Sequence, residues 1–154
     1  MNSECRISIN IPVAGHQEGE NIYRSLENYT TQTADKNSYE LVLFVNRPDV
    51  NEKGEPIVPD KTFEEIGRFK RNYPEMNIKV IDIVIPKEEA RMGHIRKMLN
   101  DTVLTRHHER GSNVKDLIMV SNDADNKGVS PKYVENIIKK FDKNPNVEAM
   151  LGQL

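Results

Sequence analysis

Five short apolar runs, separated by four stretches of helical periodicity, constrain the fold of this chain more than any other feature. Arg6–Ile11 alternates isoleucine with other residues and stops at Pro12, which predicts a strand. Tyr39–Val45 is nearly all apolar, Asn77–Ile85 is closed by Pro86, Leu117–Val120 ends in acidic residues, and Val147–Leu151 predicts a final short strand. Between them, a helix is expected over Glu20–Gln32, with Ile22, Leu26 and Tyr29 at helical spacing. The next should start at Thr62, with Glu65 completing a capping box and Ile66, Phe69 and Tyr73 facing inward. A longer one should run from Glu88 to about His108 on Ile95, Met98, Leu99 and Val103. The last should be capped by Ser130, with Pro131 at its first position and a stripe of Val134, Ile137, Ile138 and Phe141. Strict alternation of this kind predicts an α/β fold: a mostly parallel sheet with helices on both faces.

With 154 residues the chain is expected to form a single domain, 1–154, with a substantial core. Acid and base nearly balance, at a net charge of -2, which argues against a nucleic-acid binder. A lone cysteine, Cys5, excludes an intrachain disulfide and a cysteine-rich zinc site, is read as inert, and points to a reducing, cytoplasmic setting. No apolar run approaches the roughly 20 residues of a membrane span; peripheral attachment would need segments outside this chain.

Chemistry concentrates in Val114–Asp125, where the apolar run gives way to Asn122, Asp123 and Asp125. Carboxylates at a strand's carboxyl end sit where open α/β sheets bind ligands. Spaced by two, they can direct oxygens toward one point, as a hard divalent cation requires. Rival assignments fail on residues. The loop Pro12–Glu20 has no G-x-G-x-x-G, the chain has no G-x-x-x-x-G-K-[ST], and no Gly-x-Gly-x-Arg follows the first strand. Asp123–Glu135 departs from a calcium-binding EF-hand loop at Lys127 and Val134, and a phosphatase would want its acidic pair after the first strand.

Taken in order, the segments resemble nucleotide-sugar-dependent glycosyltransferases of the GT-A fold, family 2 type. The similarity runs through Ile9–Pro12, Gln17-Glu18, Glu20–Ile22, Leu26 and Gln32, then Tyr39–Leu43 and Gly93, Arg96 and Asn100 of the long helix. It continues through Asp116–Asp125, which resembles the strand ending in the DXD motif, and through Pro131–Tyr133 and Val147–Gly152. The resemblance implies transfer of a sugar, with inversion, from a UDP- or GDP-type nucleotide-diphosphate sugar to the hydroxyl of a carbohydrate or other acceptor. Because the leaving diphosphate is anionic, Mn²⁺ or Mg²⁺ is the implied cofactor. By the same resemblance Asp125 holds the metal, while Asp123 contacts the ribose or donor sugar and reaches the metal through water. Pro12, Val13 and Glu18 would lie against base and ribose.

Two departures shape the expectation. The family's second strand ends in aspartates, whereas here it ends in Asn46-Arg47-Pro48-Asp49, so Asn46 would read the base edge and the base stays open. The family's acceptor-binding half and its aspartate general base have no counterpart in this stretch, which reads as the donor-binding part of a longer protein. The alternative is a non-catalytic nucleotide- or metal-binding module. Arg96, with Arg91 and Lys97, either grips a diphosphate or forms a solvated helix face. His16 lies in the donor loop, and His107-His108 read as helix-end surface.

Overall fold

A computed structural model of the chain describes residues 5–151. Isoleucine or valine at every second position makes Ile7–Ala14 the strand β1, with Ile7, Ile9, Ile11 and Val13 fully buried on one face. β-Branched side chains suit such a pleated, packed surface. β1 pairs in parallel with β2 (Tyr39–Pro48), from Ile7 opposite Tyr39 to Ala14 opposite Asn46. On its other side it pairs in parallel with β4 (Ile118–Ser121). β3 (Ile78–Ile85) pairs in parallel with the far side of β2, so the order is β3-β2-β1-β4. The fold is α/β with four parallel strands, all predicted from the sequence.

Helices α1 (Ile22–Glu27), α2 (Thr62–Asn72) and α4 (Tyr133–Lys143) cover one face. Their Ile22, Leu26, Ile66, Phe69 and Val134 join the isoleucines of β1 and Leu41, Leu43 and Val45 of β2 in one core. Each fully buried aliphatic side chain there contributes about 1.5–3 kcal/mol. Helix α3 (Met92–Glu109) covers the opposite face, packing Ile95, Leu99 and Val103 on Val42, Phe44 and Ile85. Beneath it the sheet is partly polar: Ser8, Asn10 and Glu40 are buried, Glu40 completely.

Several boundaries differ from expectation. β1 runs through Pro12 to Ala14 instead of stopping at Ile11. Asn122 donates its N–H to the Asn10 carbonyl, so even-numbered residues of β1 face β4, and Pro12 falls where that ladder ends. Pro48 likewise sits past the last β1–β2 pair. α1 ends at Glu27, well short of Gln32, because Thr30 and Thr31 turn their hydroxyls onto the carbonyls of Glu27 and Asn28 and the backbone tightens into i→i−3 bonds. The helix expected from Glu88 begins as a single 3-10 turn, Lys87–Glu89, and becomes α3 only at Met92.

Capping also differs. Thr62 is inside α2, and Asp60 accepts from both its N–H (2.8 Å) and its hydroxyl, while Glu65 pairs with Arg68 instead of closing a box. Ser130 lies ahead of α4, whose Val134 N–H is accepted by Gln32 Oε1 at 3.1 Å, a cap supplied from elsewhere in the fold. Val147–Leu151 forms no strand: these residues are exposed and unpaired with the sheet, Leu151 fully so. Gly152 lies outside the described residues. His107 is not surface: it is 3% exposed against Glu40, with only His108 facing solvent. Among the described residues no helix is long and apolar enough to cross a membrane.

Candidate functional site at the carboxyl edge

The strand order reverses at β1: the chain moves outward through β2 and β3, then returns to place β4 on the other side. Loops leaving the carboxyl ends of two such neighbours diverge to opposite faces and open a crevice. The loops after β1 and β4 carry Glu18 and the pair Asp123 and Asp125.

Burial alternates through the acidic tripeptide. Asn122 and Ala124 are buried, whereas Asp123 and Asp125 are exposed. The loop, which turns at Ala124–Asp125, thus leaves both carboxylates facing outward. Asn122 secures the start of this loop, donating Nδ2 to the Tyr29 hydroxyl at 2.7 Å and accepting the Tyr133 hydroxyl at 3.0 Å. Asn28 Nδ2 donates to the carbonyl of Asn126 just beyond the pair, at 3.0 Å. Arg96 of α3 reaches across to Asp123, Nη2 to Oδ1 at 2.7 Å, with both side chains about half exposed. Its Nε is buried and makes no hydrogen bond among the described residues, so the guanidinium retains unused donor capacity.

The loop after β1 faces this pair. Burial and the negative charge of Asp125 raise the pKa of Glu18, a hydrogen bond from Asn21 opposes them, and Asp60 adds a further upward push. Glu18 Oε2 and His16 Nδ1 are buried without a hydrogen-bond partner. Asp60, from the loop before α2, ties this loop down: its Oδ2 accepts the Gly19 N–H at 2.9 Å. Burial works against the Asp60 carboxylate, but bonds from Thr62 and Gly19, helped by nearby His16, outweigh it and lower its pKa. A Cβ on Gly19 would lie 2.9 Å from Asp60 Oδ2 and 3.1 Å from the Lys61 backbone nitrogen, so a larger residue would have to push this crossing apart. Sequence reading passed over Asp60; its position two residues before Thr62 is the local signal for a helix-capping carboxylate.

Of the predicted site residues, Glu18, Asp123 and Asp125 gather at this edge, with Arg96 joined to Asp123. Pro12 and Val13 lie in β1, and the Val13 side chain is fully buried in the core, leaving only backbone for a ligand. Its carbonyl is taken by Asn46, whose amide also donates to Phe44 O, both at 3.1 Å. Asn46 is therefore committed to bracing the strand ends. Lys97 pairs with Asp101 along α3, away from Asp123. No cluster of three or more His, Cys, Asp or Glu side chains able to hold a metal occurs among the described residues. Two outward carboxylates at this edge still fit a Mg²⁺-type ion, which commonly takes one or two protein carboxylates and fills its remaining positions with phosphate oxygens and water. Two surface hollows lie elsewhere, one of about 780 Å³ along β3 and α3 and one of about 500 Å³ near the start of β4.

Solved structures share this fold. A mannosyltransferase, PcManGT from Pyrobaculum calidifontis, in complex with GDP-Man and Mn²⁺, superposes over 88% of the chain with a TM-score of 0.56 and 15% identity. TarS 1–349 from S. aureus, in complex with UDP-GlcNAc, superposes over 96% of the chain with a TM-score of 0.59 and 13% identity. The chain spans about a third of their lengths, 32% and 37% respectively. At such identities the likeness is one of fold, that of GT-A glycosyltransferases. Neither a family model nor a curated protein matches the chain.

Proposed function

We propose that the chain is the nucleotide-sugar-binding domain of a metal-dependent glycosyltransferase that passes a sugar, with inversion, from a UDP- or GDP-sugar to an acceptor hydroxyl. The observation that carries this is the placement of Asp123 and Asp125, turned outward together at the switch point between β1 and β4. The fold neighbours were solved with GDP-Man and Mn²⁺ and with UDP-GlcNAc, which supports the ligand class.

Asp125 would hold the ion, with Asp123 at the ribose or donor sugar. The first loop, with Glu18 and the backbone of Pro12 and Val13, would lie against the nucleoside. Arg96, paired with Asp123, would hand its charge to an incoming diphosphate, a charge-assisted contact on a planar fork. Mn²⁺ or Mg²⁺, when bound, would neutralise the departing diphosphate as a Lewis acid.

Calorimetric titration of UDP and GDP, with and without Mn²⁺, tests the proposal. Binding of one nucleotide that strengthens with Mn²⁺ and falls at least about tenfold in Asp125→Ala is expected. Binding of neither, or binding indifferent to metal and to Asp125→Ala, would falsify it. Release of free sugar from the matching donor would separate an active transferase from a pure binding module.

A further inference from the structure

The turn that follows α1 grips both sides of the acidic tripeptide, Tyr29 at Asn122 and Asn28 at Asn126. Tyr29 is fully buried in the main core, yet it carries a polar group. That hydroxyl accepts from Asn122 Nδ2 at 2.7 Å. Asn122 immediately precedes Asp123, and Asn126 immediately follows Asp125. If packing were the only demand, phenylalanine would serve, since a buried hydroxyl costs free energy unless it is hydrogen-bonded. The neighbouring Asn28 adds a second tether, its Nδ2 on the Asn126 carbonyl. With Ala124 packed inward at 5% exposure, every inward position of the loop is held, and only the two carboxylates are left to face outward.

We propose that Tyr29 is a positioning residue that sets the geometry, and thereby the metal affinity, of the Asp123/Asp125 pair; the inference rests on the donor-metal reading of those aspartates. Groups behind metal ligands fix ligand orientation, and losing one typically weakens metal binding about 10–100-fold. Nothing in the sequence pattern marks Tyr29 for this, because its spacing with Ile22 and Leu26 describes an ordinary core position.

The test titrates Mn²⁺ into the full chain with saturating UDP or GDP, following free Mn²⁺ by electron paramagnetic resonance, beside circular dichroism and thermal melting. Tyr29→Phe keeps the ring and deletes the hydroxyl. It should bind Mn²⁺ at least about tenfold more weakly while keeping a folded spectrum. Asn28→Ala, which leaves the core intact, should shift affinity in the same direction by less. Tyr23→Phe removes a hydroxyl bonded to Asn72, away from the loop, and should bind Mn²⁺ as the wild type does. A lowered melting temperature with wild-type Mn²⁺ affinity in Tyr29→Phe would make the hydroxyl merely structural and overturn the proposal. Were Asp125→Ala to lose Mn²⁺ while Tyr29→Phe and Asn28→Ala kept it, only this inference would fall. Absence of Mn²⁺ binding by the wild type would remove the functional reading as well.

Discussion

Glu18 is held in a place that its charge resists. Burial and the charge of Asp125 raise its pKa from the ordinary 4.5, so the folded chain binds the Glu18 proton more tightly than the unfolded chain does. For an acid shifted upward, the favourable contribution is fully present below the unfolded value and is lost as pH rises through the folded value. At neutral pH, Glu18 therefore destabilises the metal-free protein. Glu18→Gln should raise the melting temperature at pH 7, and the gain should shrink toward nothing as pH falls below the ordinary carboxylate range. Melting curves across that range in chelator-treated buffer check the sign; a gain independent of pH would show that the charge is not the cause. A strained acid beside an acidic pair is what a site awaiting a counter-ion would contain. Asp60 behaves in the opposite way, because its carboxylate accepts the bonds of Gly19 and Thr62.

Elements were legible where a local pattern decides them and opaque where a distant partner does. Alternating isoleucines were enough for β1, and the Val134, Ile137, Ile138, Phe141 stripe was enough for α4. The last apolar run, Val147–Leu151, carries the same signal as a real strand, yet it stays exposed and pairs with neither sheet edge; whether a run docks on an edge is not encoded in its composition. The start of α4 depends on Gln32, 102 residues away in the chain, and the bracing of the first loop on Asp60, 41 residues away. The outward pair Asp123 and Asp125 was readable, since a carboxylate closing an apolar run marks a strand's carboxyl end, although β4 itself is an edge strand with Met119 and Ser121 exposed. The commitment of Asn46 to backbone carbonyls was not, because an amide at a strand end looks the same whether it faces ligand or chain. Glycine separates the two regimes at element scale. Gly19→Ala should destabilise by about 1–3 kcal/mol, since its Cβ would meet Asp60 Oδ2 at 2.9 Å, the acceptor of the Gly19 N–H, and press on the Lys61 backbone nitrogen at 3.1 Å. Gly67→Ala, within α2 and 3.5 Å from only the flexible tip of Arg71, should stabilise by about 0.4–1 kcal/mol. Urea unfolding of the two variants gives opposite signs if the contacts, and not glycine content, govern.

At the scale of the whole molecule the sheet has two unlike faces, and the polar one fixes how α3 lies. Glu40 is completely buried; its Oε1 accepts from Arg106 of α3 and from Ser8 at 3.1 Å, and lies 3.4 Å from His107 Nε2. Asn10 extends the seam, donating to Asn100 of the same helix at 2.9 Å. Apolar contacts from Ile95, Leu99 and Val103 would tolerate a helix sliding by a turn, whereas these bonds would not survive it. The same helix carries Arg96 to Asp123, so the seam sets a site contact three turns away. A buried ion pair adds little net stability, but removing one partner strands the other charge at a cost of about 3–5 kcal/mol. Arg106→Ala should lose that much in urea unfolding, because Glu40 has no water to turn to. Glu40→Leu should also lose stability, by less, since Arg106 is about one-sixth exposed and can be partly hydrated. The double variant Glu40→Leu/Arg106→Met removes both charges, so it should be more stable than Arg106→Ala alone. A double variant no more stable than Arg106→Ala would mean that the two charges do not act as a unit. If the seam also holds the helix in place, the double variant should melt near the wild type yet bind nucleotide more weakly, because Arg96 would no longer be held in reach of Asp123.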